Sequence, residues 1–267
     1  MIQYNVFPDG KKRIVTFSYD DGADGDVRLV ALFDRYGVKG TFHLNSQRFA
    51  GWSEDEMRAF GERYRRHEIA CHTVQHGWPA RMPSPSLIGE VMEDRRRNEI
   101  VNGGEPVIGM SYPSGSYNAA VEETMRACGI VYSRTTKDTG GFALPEDFLA
   151  WHPTCHHRAA LPLCERFMRS LDSEWTHPLL YIWGHSHEFR TEEDWAKMEQ
   201  IVRTVAGDER IWYAANRDIW QYMTAQSMLL ISADETVFTN PTAIDLWVEK
   251  DKKQIIRIPA GQTVRAE

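Results

Sequence analysis

Two adjacent carboxylates follow an apolar, β-prone run near the start of the chain. The stretch VTFSYDDGADGD places Asp20 and Asp21 side by side. Like charges on neighbouring residues repel each other, and burial of an unpaired carboxylate is unfavourable. The pair therefore indicates either a solvated turn or a site that holds something positive.

Histidines occupy comparable positions later in the chain. The motif HTVQH places His72 and His76 at positions i and i+4, and His185 follows the apolar run YIW. Two neutral imidazoles and one carboxylate leave open positions on a divalent metal ion, as in catalytic rather than structural sites. Taken singly, each motif is as well explained by a turn, a surface histidine or an exposed helix. Their common place at predicted strand ends favours one shared site.

Alternating strands and helices are predicted to position these residues. Runs typical of strands are RIVTFSY, KGTFHLN, EIACHT, VIGMSYPSG, IVYSRTT, LLYIWGHSHEF and IWYAAN. Helical patterns such as DVRLVALFDRYG lie between them, and Ser53 with Glu56 forms a capping-box pattern. This alternation predicts an α/β fold, a distorted or incomplete (β/α) barrel with parallel strands. In such barrels the functional face lies at the carboxyl ends of the strands.

The sequence pattern changes near residue 226. Residues 226–267 contain short β-type runs and turn residues without a helical pattern. We predict a catalytic domain over residues 1–225 and a small β-rich extension over residues 226–267. A segment of roughly 40 residues is marginal as an independent core, so we expect the extension to pack on the main domain.

Composition excludes several classes of protein. The formal net charge is -7 and no long basic run occurs, which argues against a nucleic-acid partner. The four cysteines have no paired spacing, which argues against a disulfide scaffold. No signal-peptide pattern and no long apolar stretch occurs, so we expect a cytoplasmic protein without a membrane partner. The sequence leaves the oligomeric state open.

The order of four motifs resembles the polysaccharide deacetylase superfamily, that is, carbohydrate esterase family 4 or the NodB-homology domain. The motifs are TFSYDDG, HTVQH, SYPSGSYN and YIWGH, and the resemblance covers roughly residues 13–220. The resemblance implies a metal-dependent hydrolase. Carried over by motif, it assigns Asp20 as general base, His185 as general acid, and Asp21, His72 and His76 as metal ligands.

The third motif departs from the family pattern. SYPSG has Ser111 where the family carries an arginine that orients the base. We hypothesise that Arg134, on the following strand, substitutes for that arginine; a surface position is the alternative. The resemblance also implies an oxyanion-binding backbone N–H at Ser114 and a substrate groove. The residues assigned to this groove are Tyr112, Pro113, Ser114, Gly115, Trp151 and Trp183.

The implied activity is N-deacetylation of an acetylated amino sugar, oligosaccharide or polysaccharide. Asp20 would take a proton from a water molecule activated by the metal, and His185 would protonate the leaving amine. Zinc suits the donor set, and the same ligands accept cobalt, nickel or manganese.

Other activities stay open at the level of sequence. They are hydrolysis of another small amide such as a cyclic imide or ureide, hydrolysis of sugar O-acetyl esters, and sugar binding without catalysis. The segment WHPTCHH is interpreted as a polar loop. Placement of His156 and His157 at the rim of the site is the alternative, and His187 is interpreted as peripheral.

Overall fold

Strands and helices alternate along most of the chain. The computed structural model describes residues 1–173 and 178–266. Its strands are β1 (Ile2–Gln3), β2 (Arg13–Asp20), β3 (Gly40–Leu44), β4 (Glu68–Cys71), β5 (Gly109–Ser111), β6 (Tyr132–Arg134), β7 (Cys155–His156), β8 (Leu179–His185), β9 (Ile211–Tyr213), β10 (Leu230–Ile231), β11 (Val237–Thr239), β12 (Leu246–Lys250), β13 (Gln254–Ile258) and β14 (Thr263–Arg265). Its α-helices are α1 (Asp26–Tyr36), α2 (Glu54–Gly61), α3 (Ser84–Val101), α4 (Ala119–Ala127), α5 (Ala160–Arg169), α6 (Glu192–Val205) and α7 (Asn216–Ser227).

A curled parallel sheet forms the body of the fold. Its hydrogen-bonded order is β6-β5-β4-β3-β2-β8-β7, and β9 pairs with the first residues of β2. At the β6 end of this sheet, Arg134 forms a parallel bridge with Trp151. Trp151 lies shortly before β7, the strand at the other end of the sheet. The segment from Trp151 to β7 therefore connects the two ends of the sheet. The predicted distorted or incomplete (β/α) barrel is confirmed.

Local signals explain where several elements begin and end. β2 is buried along its whole length, as expected of a central parallel strand covered on both faces. α1 ends at Gly37, whose φ of 69° belongs to the left-handed region that glycine tolerates best. At the start of α2, Ser53 Oγ accepts a hydrogen bond from Glu56 N, and Ser53 N donates to the Glu56 carboxylate. The predicted capping box is confirmed.

Strand register aligns the polar residues at one edge of the sheet. Asp20 lies level with His43 of β3 on one side and with His185 of β8 on the other. Ser111 of β5 lies level with Arg134 of β6. Because all these strands are parallel, their last residues meet at the carboxyl edge of the barrel.

The C-terminal segment forms two small antiparallel sheets. Their orders are β1-β12-β13 and β10-β11-β14, so the first strand of the chain pairs with the C-terminal segment. Leu246, Val248 and Ile258 belong to the same apolar cluster as Tyr181 of β8 and Phe7, which precedes β2. The extension thus packs on the main body. The division into domains at residues 225 and 226 stays a prediction.

The sequence patterns missed β1, β7, α5 and α7. β7 lies in the segment interpreted as a polar loop, where two residues are too short for a recognisable alternation. α5 follows it and buries Ala160, Cys164 and Phe167. α7 begins shortly after β9 and ends at Ser227, so it crosses the predicted change of pattern at residue 226.

The cysteines and the helices bear on two further expectations from the sequence. Cys71, Cys128, Cys155 and Cys164 are all free and buried, in agreement with the absence of a disulfide scaffold. Among residues 1–173 and 178–266, no helix has the length and apolar character to cross a membrane. The cytoplasmic location stays a prediction.

Candidate active site

Asp20 occupies the centre of the carboxyl edge. It is the last residue of β2 and only 2% exposed. Ser111 Oγ donates a hydrogen bond to its Oδ1 at 3.0 Å, and Arg134 Nη2 donates to its Oδ2. Both carboxylate oxygens are therefore held in fixed directions.

Arg134 is buried beside Asp20, not exposed on the surface. Its Nε donates to Ser18 Oγ at 3.1 Å and its Nη1 donates to the Thr135 carbonyl at 3.0 Å. Its guanidinium lies 4.5 Å from the ring centre of Trp183, within the range of a cation–π contact. Arg134 therefore contacts the predicted base, and its role in place of the family arginine stays a prediction.

The charges around Asp20 hold it in its ionised form. Burial alone would raise the pKa of this carboxyl, but Arg134, followed by His72 and His43, outweighs burial and holds the pKa well below its usual range. An ionised carboxylate at neutral pH is the form that can accept a proton.

Asp21, His72 and His76 converge next to Asp20, and we call these three residues the first set. Asp21 Oδ1 lies 3.6 Å from His72 Nε2 and 3.9 Å from His76 Nε2. Two ligands that are each about 2.1 Å from a shared ion can be at most about 4.2 Å apart. His72 Nε2 is also buried without a hydrogen-bond partner among the described residues. The first set therefore fits a divalent metal ion.

Ser111 links the first set to Asp20. His72 Nδ1 lies 2.7 Å from Ser111 Oγ and 2.9 Å from the Ser111 carbonyl. These contacts turn Nε2 of the same ring towards Asp21. Ser111, which stands where the family carries an arginine, thus contacts both the predicted base Asp20 and the predicted ligand His72.

The backbone of the first set departs from ordinary strand geometry. Asp21 and His76 have φ values of 75° and 53°, and Thr73 between the two histidines has a φ of 61°. Such left-handed conformations are unfavourable for these residue types and tend to occur where function requires them. Successive residues of an extended strand point to opposite faces, but the positive φ of Asp21 changes this arrangement after Asp20. Both carboxylates lie within 3.9 Å of His72 Nε2.

A buried carboxylate from α3 supports the loop that carries His72. Asp94 Oδ2 accepts a hydrogen bond from His72 N at 2.8 Å, and its Oδ1 accepts one from Ser46 N at 2.9 Å. Burial raises the pKa of Asp94 to about 7, although these hydrogen bonds act in the opposite direction. The sequence analysis missed Asp94, which lies in the middle of a helix with no motif around it.

A buried histidine of β3 was also missed by the sequence analysis. His43 of β3 is buried, and its Nε2 lies 2.9 Å from Ser18 Oγ, the group that also receives Arg134 Nε. Burial lowers the pKa of His43 to about 3, so the ring is neutral at physiological pH. Its position two residues before the end of the KGTFHLN run was the only available signal.

His185 stands on the other side of Asp20. Its Nε2 lies 3.9 Å from Asp20 Oδ2, and its Nδ1 lies 3.1 Å from Glu188 Oε1. The following residue, Ser186, donates to the buried Asp26 at 2.5 Å and so fixes the end of β8. His187 is exposed and its Nδ1 lies 3.6 Å from Asp21 Oδ2.

The predicted groove residues divide into two groups. Trp183 stands beside the site, and its Nε1 donates to Asp138 at 2.7 Å. Pro113, Ser114 and Gly115 form a tight turn after β5, in which Ser114 is exposed and has a φ of 55°.

Tyr112 and Trp151 do not line a groove in the structure. Trp151 is fully buried and packs against Tyr132 and Tyr181, because its backbone bridge to β6 turns the ring into the barrel core. Tyr112 is also buried, and its hydroxyl donates to the Leu149 carbonyl at 2.8 Å. The assignment of these two aromatic residues to the groove is corrected accordingly.

Comparison with known proteins points to one family. The sequence profile described as polysaccharide deacetylase matches residues 8–133. A probable peptidoglycan-N-acetylglucosamine deacetylase of Arthroderma benhamiae is 32% identical over 119 residues, which are 43% of this chain and 26% of that protein. The chain thus spans about a quarter of the length of this relative.

Solved structures show the same fold. A polysaccharide deacetylase homologue from Mycobacterium smegmatis superposes with a TM-score of 0.62 at 16% identity, covering 85% of this chain and 96% of that chain. A pseudoenzyme of the CE4 family from Bacillus anthracis has a TM-score of 0.51 at 18% identity, covering 74% and 62% of the two chains. Together with the sequence matches, these findings confirm the resemblance to the polysaccharide deacetylase family.

Proposed function

We propose that this protein is a metal-dependent hydrolase that N-deacetylates an acetylated amino sugar or a saccharide containing one. The observation that carries the proposal is the convergence of the first set with Asp20 and His185 at one edge of the barrel. The acetylated amino sugar is suggested by the description of the Arthroderma benhamiae relative as a peptidoglycan-N-acetylglucosamine deacetylase.

The first set would hold the metal ion. Asp21, His72 and His76 supply one oxygen and two nitrogen ligands, a combination that suits Zn²⁺ and also accepts Co²⁺, Ni²⁺ or Mn²⁺. When bound, a divalent ion would polarise the acyl oxygen and lower the pKa of a water molecule towards about 7.

Asp20 would act as the general base. As the water oxygen bonds to the acetamide carbon, the Asp20 carboxylate takes the proton that the water releases. Arg134 and Ser111 hold the two oxygens of Asp20 and keep them in position for this transfer. The backbone N–H of Ser114 is the proposed donor to the negative charge that develops on the acyl oxygen.

His185 would act as the general acid. When the carbon–nitrogen bond breaks, His185 gives its Nε2 proton to the leaving amine, and the products are acetate and a free amino sugar. The contact of Nδ1 with Glu188 fixes the orientation of the ring. Because Nε2 faces Asp20, acid and base lie on the same side of the barrel edge.

Two substitutions at adjacent positions test the proposal. Asp21→Ala should lose both the metal ion and acetate release. Asp20→Asn should keep the metal ion and lose acetate release by about 10²–10⁴-fold, the usual contribution of a general base. The measurements are metal content by mass spectrometry and acetate release from N-acetylglucosamine oligomers of increasing length.

A family that includes a pseudoenzyme requires a direct test of activity. The substrate panel should also contain sugar O-acetyl esters, cyclic imides and ureides. Undiminished acetate release by Asp20→Asn would refute the role of the base. A metal-loaded protein that binds the oligomers and hydrolyses no member of the panel would indicate a binding protein instead.

A further inference from the structure

A second group of two histidines and one carboxylate lies on the far side of His185. We infer that His156, His157 and Glu188, which we call the second set, form a binding site for a divalent transition-metal ion. This site shares no residue with the first set, and its occupancy does not depend on the proposed deacetylation.

The carboxylate oxygen lies closer to the two imidazole nitrogens in the second set than in the first. Glu188 Oε2 lies 3.2 Å from His156 Nε2 and 3.1 Å from His157 Nε2. Two ligands about 2.1 Å from one ion are about 3.0 Å apart at a right angle and about 3.4 Å apart in a tetrahedron. Both carboxylate–imidazole separations therefore match those of ligands on a shared ion, and all three ligand atoms lie within 4.8 Å of one another.

These short separations are not hydrogen bonds. Glu188 Oε2 is buried and accepts no hydrogen bond from the described residues, although the two imidazole nitrogens and Arg158 Nη2 all lie within 3.2 Å. The N–H directions of these groups miss the oxygen. A buried carboxylate oxygen without a donor is rare in native proteins, and a cation between the three ligand atoms accounts for it.

The fold holds the second set in place. His157 lies nearly parallel to the ring of Tyr19 and packs against Phe189, with ring centroids 5.9 Å and 4.6 Å away. Its imidazole also lies directly against the backbone of β8. A Cβ atom at Gly184 would approach His157 Nδ1 to 2.0 Å, so glycine at this position makes room for the ring.

An open cleft gives access to this site. It has a volume of about 470 Å³ and is lined in part by His157, Arg158, Glu188 and Phe189. The Arg158 side chain is 71% exposed, so it can swing into solvent when an ion enters. Two imidazoles and one carboxylate suit Zn²⁺, Co²⁺ or Ni²⁺ better than Mg²⁺ or Ca²⁺, which prefer oxygen ligands only.

The second set is tested in a protein that lacks the first set. The double variant D21A/H76A, loaded with Zn²⁺ and desalted, should retain one zinc ion per chain by mass spectrometry. Adding His156→Ala should remove this ion. Adding His152→Ala instead is the matched control and should leave the ion bound, because His152 contacts Thr135 and not Glu188.

The outcomes separate the two metal sites. A D21A/H76A protein that folds, as judged by circular dichroism, but retains no zinc overturns the second site. Loss of zinc with His152→Ala as readily as with His156→Ala also overturns it. A wild-type protein with one ion that survives in D21A/H76A supports the second site and refutes the first.

A third variant distinguishes an ion site from an ion-pair cluster. Arg158 places a positive charge 3.2 Å from the proposed ligand oxygen and competes with a metal ion. Arg158→Ala on the D21A/H76A background should therefore lower the Kd for Zn²⁺ by about tenfold. An unchanged or raised Kd would indicate that Glu188 is simply the partner of Arg158 and overturn the proposal.

Discussion

The two ends of the barrel both bury polar residues, but they do so differently. At the carboxyl end, His72 Nε2 has no hydrogen-bond partner among the described residues, and its possible metal-ligand atom lies within 4.8 Å of those of Asp21 and His76. At the amino end, polar groups from several strands bond to one another and to the start of α7.

The network at the amino end centres on Asn216, the first residue of α7. Its Oδ1 accepts a hydrogen bond from Thr16 at 3.0 Å, and its Nδ2 donates to the Tyr181 hydroxyl at 2.5 Å. Its backbone N donates to Thr41 Oγ1, which in turn donates to Glu68 at 2.9 Å. Helix α7 thereby closes the base of the barrel.

This difference distinguishes polar residues that stabilise the fold from polar residues that are candidates to bind a ligand. A satisfied buried network rigidifies the structure, whereas an unsatisfied one is unfavourable unless something else supplies the missing partner. Both ends contain buried polar residues, so burial alone does not distinguish them. The two ends differ in whether their buried polar atoms have hydrogen-bond partners, and this difference distinguishes a candidate ligand site from a structural network.

Arg134→Ala should give the largest effect, because it removes the principal positive partner of Asp20. Losing one member of a buried ion pair typically lowers the free energy of unfolding by about 3–5 kcal/mol. The pKa of Asp20 should rise, so turnover should fall sharply and the acidic limb of its pH profile should move to higher pH. Metal content should stay intact.

Denaturant unfolding and pH–rate profiles measure this change, and Arg134→Lys serves as the comparison because it keeps the charge. Turnover that is normal in Arg134→Ala would show that the carboxyl end does not depend on this pairing. A partial recovery with lysine would support electrostatic positioning of the base.

Asn216→Ala should affect stability without affecting chemistry. It removes the hydrogen-bond partner of the Thr16 hydroxyl and one of the two side-chain partners of the Tyr181 hydroxyl. An unpaired buried polar group costs about 1–3 kcal/mol. Turnover per folded molecule should stay at the wild-type value. Thermal unfolding and activity measured on one preparation test this, with Asn102→Ala at the C-terminal end of α3, outside this network, as control. Loss of turnover in the folded protein would show that the two ends are coupled.

Glu68→Gln should change how stability depends on pH. Burial raises the pKa of Glu68 to about 7 from an ordinary value of 4.5, against the opposing effect of the Tyr132 hydrogen bond. The folded state therefore binds this proton more tightly than the unfolded state. The resulting stability is complete below about pH 4.5 and is lost as the pH rises through about 7, a change of about 3 kcal/mol.

Glutamine keeps the shape and removes this titration. Urea unfolding of wild type and Glu68→Gln at pH 5 and pH 8 should show a smaller decline in the variant, while the decline due to Asp26 and Asp94, whose pKa values burial also raises to about 7, remains. Equal declines in the two proteins would contradict the assignment.

His187→Ala should give the smallest effect, although this residue lies at the carboxyl end. Its side chain is 49% exposed and its Nδ1 is 3.6 Å from Asp21 Oδ2. Exposed ion pairs contribute about 1 kcal/mol or less, so turnover should change by less than about fivefold. Loss of metal content in this variant would place His187 in the first set.

The sequence predicts the parts of the site that follow from local motifs. Asp20, Asp21, His72, His76 and His185 all follow or end strands that alternation and composition identify. Their meeting at one edge is a consequence of parallel strands and needs no further information. The barrel could be predicted for the same reason.

The remaining contacts could not be predicted because they join distant parts of the chain. Ser111 bonds to Asp20 across 91 residues, and Asp94 bonds to the backbone of His72 from the middle of a helix. Trp151 was misassigned because its backbone bridge to Arg134 leaves no trace in the local pattern. Strand register decides such contacts, and register is a property of the whole sheet.

The pairing of β1 with β12 has a consequence for how the chain folds. Ile2 lies opposite Lys250 and Gln3 opposite Glu249, so the first strand finds its partner only after the residues of the barrel between them have been synthesised. Pairings of such long sequence separation slow folding, because a large loop must close before the contact forms. During translation, the edge of β1 and the side chain of Phe7 stay exposed to solvent until β12 is available for pairing. The N-terminal strand is thus among the last elements to find its place.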